Sequence, residues 1–212
     1  MVMRVNLPVQ PHDLLWGMPM ATVPADAPAW VFEVITLGHP VVVRRAQVAQ
    51  GWVAVGVRGH SRDQRFATLM SGADIAWRVQ PEQLVDAVDN VVADWPALQA
   101  LRQIRSLMNA LGLPWGVAGG AGFELATGIQ VLHQDSDLDL ILRTDDFFSR
   151  EQSAGLVEAL DNALWRIDLQ LQTPAGAVAL REWAGAARKV LLKADDGARL
   201  VDNPWQLQEH AA

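Results

Sequence analysis

The sequence contains no cysteine, and this absence removes several kinds of chemistry. Disulfide bonds, cysteine-ligated zinc sites and thiol nucleophiles all require that residue. Tyrosine is also absent, whereas nine tryptophans are spread along the 212 residues. Tryptophans scattered in this way are typical of core and interface anchors rather than of a stacking platform.

Long hydrophobic runs are missing as well. No stretch approaches the roughly 20 apolar residues that a membrane-spanning helix needs. The first residues, MVMRVNLPVQPHDLLWG, lack the apolar segment of a secretory signal. Because 50% of the residues are hydrophobic, the chain can still bury a substantial core. We therefore expect a soluble, cytoplasmic protein.

Basic residues are scarce. The chain has 17 Lys and Arg against 24 Asp and Glu, which gives a formal net charge of −7. General nucleic-acid binders usually carry a net basic surface that offsets the phosphates. The composition argues against that class, although a local basic patch for a small phosphorylated ligand is compatible with it.

Residues 1–82 are predicted to form a β-rich domain that binds substrate or partner. Runs of β-branched and aromatic residues, bounded by Gly and Pro, predict strands at Trp30–Thr36, Pro40–Ala46 and Gly51–Gly59. Before them, HDLLWG predicts a turn that enters a short helix capped by Asp13.

The pattern changes near Pro81, and residues 83–212 are predicted to form a catalytic domain. Pro81–Trp95 has helical spacing with proline in its first turn. A second helix should begin at Pro96, with Asp94 as its cap and Gly112 after its end. Its apolar stripe contains Leu98, Leu101, Ile104, Met108 and Leu111.

Strands and helices then alternate, which predicts an α+β fold with a mixed sheet and helices on one of its faces. The predicted order is strand Trp115–Ala118, helix Phe123–Thr127, strand Ser136–Arg143, helix Asp145–Leu164 with a break near Ser153–Gly155, and strand Arg166–Gln172. A final hairpin, KVLLKADDGARLV, should turn at Asp196-Gly197.

Two acids lie on a strand that otherwise looks buried. In SDLDLIL, alternation sends Leu138, Leu140 and Leu142 into the core and places Asp137 and Asp139 together on the other face. Neighbouring carboxylates repel unless a cation lies between them, and Mg²⁺ prefers such oxygen ligands. A solvated sheet face that happens to carry two acids is the simpler alternative.

The later strand RIDLQLQT repeats this pattern, with Ile167, Leu169 and Leu171 facing the core and Asp168, Gln170 and Gln172 facing out. If the two strands are neighbours, Asp168 completes a site for two Mg²⁺ ions that serves phosphoryl or nucleotidyl transfer.

Upstream, Gly119-Gly120 separates a strand from a helix. There the backbone N–H groups can approach a phosphate closely. A purely structural turn is the simpler alternative.

Together, GG…SDLDL…D resembles the DNA polymerase β-type nucleotidyltransferase superfamily. More closely, LATG with SDLDLIL, HDLLW, VGVRGHSRDQRFA and AVALREWA…KVLLK resemble the malonate decarboxylase holo-acyl-carrier-protein synthases, which are phosphoribosyl-dephospho-CoA transferases. The chain departs from the superfamily at Gly120, where a serine is usual, and at Gln170, where a glutamate is expected.

The resemblance implies a specific reaction. Such an enzyme moves the phosphoribosyl-dephospho-CoA unit from 2′-(5″-triphosphoribosyl)-3′-dephospho-CoA to a serine of the acyl-carrier-protein subunit of malonate decarboxylase, and pyrophosphate leaves. Asp137, Asp139 and Asp168 would then be both metal ligands and catalytic residues. The alternatives are another Mg²⁺-dependent nucleotidyltransferase that uses an NTP, or an inactive binding module of the same fold.

Two groups of basic residues are candidates for phosphate contacts. Arg58, Arg62 and Arg65 would share one face if their segment is helical, and arginine suits bidentate phosphate binding. Lys189 and Lys193 should lie on one side of a strand. For both groups a solvated surface is the alternative.

Overall fold

The computed structural model describes residues 8–61 and 63–206 and divides the chain into two compact units, Met1–Gln80 and Pro81–Ala212. Helices and strands both contribute, and the second sheet mixes parallel with antiparallel pairing. The α+β prediction is therefore confirmed. Across the described ranges, no helix combines the length and hydropathy needed to span a bilayer.

The first unit is built on a five-stranded sheet in which every neighbouring pair is antiparallel. The strand order is β4-β3-β2-β1-β5. Its strands and α-helix are β1 (Leu14–Trp16), α1 (Ala29–Thr36), β2 (Val41–Val43), β3 (Trp52–Arg58), β4 (Arg65–Ser71) and β5 (Trp77–Val79).

The segment Trp30–Thr36 is helical, so the strand prediction for it was wrong. Val31, Val34 and Ile35 are buried in the core of this unit, and their spacing of three and one puts them on a single helical stripe. The β-branched composition suggested a strand. The buried positions instead recur at helical spacing, so the segment forms a helix that packs one stripe of side chains against the core.

Asp13 does not cap a helix, because the residues after it form β1 and pair with two neighbouring strands. Its carboxylate is fully buried and accepts a hydrogen bond from the Gln10 amide at 2.9 Å. The buried Arg78 guanidinium of β5 lies 3.4 Å away and also donates to the Pro8 carbonyl. This ion pair joins the start of β1 to β5.

The second unit contains a six-stranded sheet in the order β11-β10-β9-β8-β7-β6. Among the pairs of this sheet, β7 and β8 are parallel and the others are antiparallel. Its elements are α2 (Pro96–Ala110), β6 (Trp115–Val117), α3 (Gly119–Thr127), β7 (Leu138–Arg143), α4 (Arg150–Leu160), β8 (Ile167–Thr173), β9 (Gly176–Ala179), α5 (Leu180–Ala184), β10 (Val190–Ala194) and β11 (Gly197–Val201).

Several strands start or end at the same end of this sheet. The strands β7, β8 and β10 run in the same direction and start there, whereas β6 and β9 end there. The helices α3 and α5 begin directly after those two strand ends. Residues at the starts of β7 and β8 therefore lie at the same end of the sheet as the N-terminus of α3.

Alternation along the two parallel strands is as predicted on the apolar face. Buried leucine and isoleucine side chains cover it, namely Leu138, Leu140, Leu142, Ile167, Leu169 and Leu171. Gln172 is a correction, since only 6% of its surface is exposed. The strand β8 lies inside the sheet between β7 and β9, so Gln172 at its far end is covered rather than facing solvent as predicted.

The stretch Pro81–Trp95 is not one helix but two 3-10 turns, Pro81–Leu84 and Ala87–Asn90. Its valines and aspartates have low helix propensity. Pro81 also packs so tightly against Gly116 of β6 that a Cβ there would overlap it. The helix α2 begins at Pro96 as predicted, but the N-cap residue is Trp95, and Asp94 instead lies 3.8 Å from Arg102.

Three boundaries also differ from the sequence prediction. The helix α3 begins at Gly119 rather than at Phe123. The helix α4 begins only after Ser149, whose side chain forms a capping box with Gln152, and it continues without a break through Ser153–Gly155. The final hairpin turns through Asp195 and Asp196, since Ala194 pairs with Gly197.

We expect the replacement Asp13→Ala to destabilise the first unit by about 3–5 kcal/mol, because it leaves the buried Arg78 guanidinium without its carboxylate. Denaturant unfolding monitored by tryptophan fluorescence measures the change. The exposed Asp26 provides the control, and Asp26→Ala should alter the free energy of unfolding by less than about 0.5 kcal/mol. Equal effects of the two substitutions would contradict a stabilising role for the buried pair.

Candidate active site

The starts of β7 and β8 bring three acids and one arginine onto one face of the sheet. Asp139 and Asp168 are direct partners in the parallel register. One step earlier, Asp137 precedes β7, and the Leu138 amide donates to the Arg166 carbonyl at 3.0 Å, which continues the pairing. The Arg166 Nε lies 2.8 Å from Asp137 Oδ1.

These four side chains form a two-by-two array, which we call the acid array. Asp137 lies opposite Arg166, and Asp139 lies opposite Asp168. Asp137 and Arg166 directly precede β7 and β8, and the pairing continues through them, so each shares a side with the acid two residues later. Three carboxylates against one guanidinium leave the array with a net negative charge.

Gly119 lies directly against the carboxylate of Asp139. A Cβ built on Gly119 would overlap the Asp139 side chain, and the backbone there has a positive φ of 59°. Gly119 is also the first residue of α3, and Gly120 is the second. The first N–H groups of a helix have no intrahelical acceptor, so this helix end presents backbone donors beside an acid of the array.

The acid array offers oxygen ligands of the kind that Mg²⁺ prefers. Asp139 and Asp168 are register partners on one sheet face, and Asp137 pairs with Arg166. Within residues 8–61 and 63–206, no group of three or more His, Asp or Glu side chains is already arranged to hold a metal ion. The structure therefore places the three predicted ligands on one face of the sheet.

A buried glutamate on α3 holds the loop that leads into the acid array. The carboxylate of Glu124 is only 6% exposed and accepts hydrogen bonds from the Val131 and Leu132 amides, each at 2.8 Å. It also accepts one from the Trp95 indole at 3.0 Å. Charge-assisted bonds of this kind are stronger than neutral ones, so Glu124 fixes the path of the chain between α3 and β7.

The predicted lysines lie on β10 and just before it. Lys193 is on β10 and exposed, and its register through Ala177 and Gln172 places it on the face of the acid array. Lys193 lies three strands away from Asp139 and four residues further along the strand direction, which is roughly 20 Å by ideal sheet spacing. Lys189 directly precedes β10, so it lies at the end of the sheet where β7 and β8 also start.

The predicted arginines belong to the first unit and lie on a hairpin rather than on a helix. Arg58 ends β3, Arg65 begins β4, and the two are direct cross-strand partners on one face of the sheet. The Arg65 guanidinium donates to the carbonyls of Ser61 and Gln64 at 3.1 and 2.9 Å. Arg62 lies outside the described residues.

Sequence reasoning missed three residues that these sites include. Arg166 precedes Asp168 by two positions, so strand alternation alone would have placed it on the same face. Glu124 gave no signal, because its role depends on a loop that folds back onto α3. Arg44 also escaped notice, although its side chain packs over Gly56 on the face that carries Arg58.

Comparison with known proteins gives consistent matches over nearly the whole chain. The family model described as the phosphoribosyl-dephospho-CoA transferase MdcG C-terminal domain matches residues 83–204, and the corresponding N-terminal domain model matches residues 10–81. No solved structure matches the chain significantly.

Individual relatives are similar from end to end. A phosphoribosyl-dephospho-CoA transferase from Pseudomonas syringae pv. tomato is 57% identical over 204 residues, which cover 96% of this chain and 97% of the relative. One from Pseudomonas putida (strain GB-1) is 56% identical over 208 residues, covering 98% and 100%. One from Pseudomonas aeruginosa is 51% identical over 207 residues, covering 98% and 99%.

Gly119→Ala tests the close approach of α3 to Asp139. We expect a loss of about 1–2 kcal/mol from the positive φ together with displacement of the Asp139 carboxylate. Gly128→Ala is the matched control, since Gly128 has a φ of 72° but nothing near its Cβ position. Both variants should lose stability in thermal unfolding, and the Gly119 variant should in addition lose more than about tenfold in catalytic rate. Equal rates for the two would contradict the assigned contact.

Proposed function

This chain belongs to the phosphoribosyl-dephospho-CoA transferase family, and we propose that it attaches this prosthetic group to a serine of the malonate decarboxylase acyl carrier protein. The group would come from the triphosphoribosyl-dephospho-CoA precursor, and pyrophosphate would leave. The observation that carries the proposal is the register pairing of Asp139 with Asp168 beside the N-terminus of α3. A cytoplasmic location is part of the same proposal.

Asp137, Asp139 and Asp168 are the residues proposed to hold Mg²⁺. The ion, when bound, supplies positive charge that offsets the triphosphate and the leaving pyrophosphate. A two-ion site is the expected arrangement for an in-line displacement of this kind. The support lies in the donor set, since carboxylates on neighbouring strands would repel one another without a cation.

The rest of the proposal concerns what the chain's own groups do. Asp168 lies on β8 opposite Asp139 and is proposed to face the attacking serine and to favour loss of its hydroxyl proton. The backbone N–H groups of Gly119 and Gly120 are proposed to bind phosphate oxygens in place of the serine hydroxyl usual in the superfamily. Attack then occurs in line at the α-phosphorus.

Positively charged side chains are proposed to bind the remaining phosphates of the substrate. Lys189 lies at the edge of the sheet where β7 and β8 start, which supports a contact near the triphosphate. Lys193 lies further along the same face and fits a more distant part of the substrate. Arg58, Arg62 and Arg65 are proposed as substrate phosphate contacts, and for Arg58 and Arg65 the support is their side-by-side placement on one hairpin.

Substituting the paired acids separates chemistry from folding. Asp139→Asn and Asp168→Asn should each reduce transfer roughly a hundredfold or more, while the melting temperature stays near that of the unaltered protein, because neither side chain is in the hydrophobic core. Asp145→Asn, an exposed position after the other end of β7, is the control and should retain full activity. Full activity in either paired-acid variant would refute the proposed site.

The donor substrate and the acceptor are tested together by mass spectrometry of the carrier protein. Apo carrier protein is incubated with the enzyme, Mg²⁺ and either the triphosphoribosyl-dephospho-CoA precursor or ATP. An added mass of one phosphoribosyl-dephospho-CoA unit on a serine, only with the precursor, is the expected result. An adduct with ATP would identify an NTP-dependent nucleotidyltransferase, and no adduct with either donor would identify a binding module.

A further inference from the structure

Arg166 is the one residue of the acid array that the proposed reaction leaves without a role. Its guanidinium makes two contacts with the chain before β7: Nε lies 2.8 Å from the Asp137 carboxylate, and Nη2 donates to the Asp135 carbonyl at 2.7 Å. The neighbouring Trp165 donates its indole N–H to the Ser136 carbonyl at 2.8 Å. The two residues directly before β8 therefore bind Asp135, Ser136 and Asp137.

The ion pair between Arg166 and Asp137 is solvent-accessible. The Arg166 side chain is 66% exposed and that of Asp137 is 45% exposed. Exposed ion pairs of this kind contribute little free energy and exchange readily for other partners. A divalent cation at Asp139 and Asp168 would compete effectively for the third carboxylate, since its charge is twice that of the guanidinium.

Release of Arg166 would leave a guanidinium beside the position where a triphosphate meets its metal. Arg166 directly precedes β8 and is two residues from Asp168, about 7 Å between their Cα atoms in extended chain. Arginine binds phosphate oxygens through two parallel N–H donors. The same side chain that neutralises Asp137 before the substrate binds is thus within reach of the substrate's anionic oxygens afterwards.

We infer that Arg166 exchanges partners during the reaction: it holds Asp137 while no metal is bound and transfers to the triphosphate when Asp137 joins the metal. This inference rests on the proposed metal site. Arg166 is then a competitor of the metal and a ligand of the substrate. A purely structural role, in which Arg166 only fixes residues 135–137, would make it a helper of metal binding instead.

The two roles predict opposite signs for the affinity of the metal. Titration of Mn²⁺ alone, followed by calorimetry, should show binding about threefold to tenfold tighter in Arg166→Gln than in the unaltered protein, because a competing cation has been removed. Transfer by the same variant should fall about tenfold or more, mainly through a higher KM for the triphosphate precursor. Tighter metal binding together with weaker substrate use is the signature of the exchange.

Two further variants make the outcome decisive. Arg166→Lys keeps the charge and should bind Mn²⁺ as the unaltered protein does, with part of the transfer activity retained. Arg105→Gln removes another arginine, which lies on α2 and pairs with Asp89 at 2.6 Å. It should change neither the Mn²⁺ affinity nor the transfer activity. Weaker Mn²⁺ binding in Arg166→Gln, or its failure to fold, would assign a structural role and overturn the inference.

The same titration distinguishes failure of the inference from failure of the proposed function. Asp139→Asn and Asp168→Asn should abolish Mn²⁺ binding if the metal site is correct. If they bind Mn²⁺ unchanged, the proposed site itself is wrong and the inference falls with it. If they lose binding but Arg166→Gln binds no more tightly than the unaltered protein, only the exchange of partners is rejected.

Discussion

The parallel pairing of β7 with β8 is the constraint on which the candidate site depends. Six buried leucine and isoleucine side chains, three on each strand, fix their register, because a slip of either strand by one residue would move its three to the other face. The same register sets Asp139 opposite Asp168 and Asp137 opposite Arg166. The acid array is therefore positioned by apolar packing on the opposite face of the two strands. Any change of register on the apolar face would also shift the charged residues.

Two further contacts complete the surroundings of that pair. Gly119 allows the N-terminus of α3 to lie against Asp139, at a distance and a backbone conformation that a side chain would prevent. Glu124, less than two turns further along the same helix, binds the amides of the loop before β7. A single short helix thus supplies the backbone donors next to the acids and holds the approach of the acid-bearing strand.

The first unit shows where local patterns mislead. The β-branched residues Val31, Val34 and Ile35 suggested a strand. Their spacing also fits one stripe of a helix, and in the folded unit that stripe packs into the core. Asp13 looked like a helix cap, because aspartate before an apolar run is a common cap signal, but its partner is Arg78, 65 residues later. Such a contact leaves no trace in the residues around either member of the pair.

Local sequence patterns were enough to predict the α+β class, the alternation that sends the leucines of SDLDLIL inward, and the acids that this alternation leaves on one face. These features depend on periods of two and three to four residues, and a linear chain displays them directly. Long-range packing, in contrast, makes β7 and β8 parallel neighbours, brings Gly119 onto Asp139 and pairs Arg166 with Asp137. Those contacts join residues separated by 20 to 30 positions, and the register that creates them is chosen by the packing of the whole sheet.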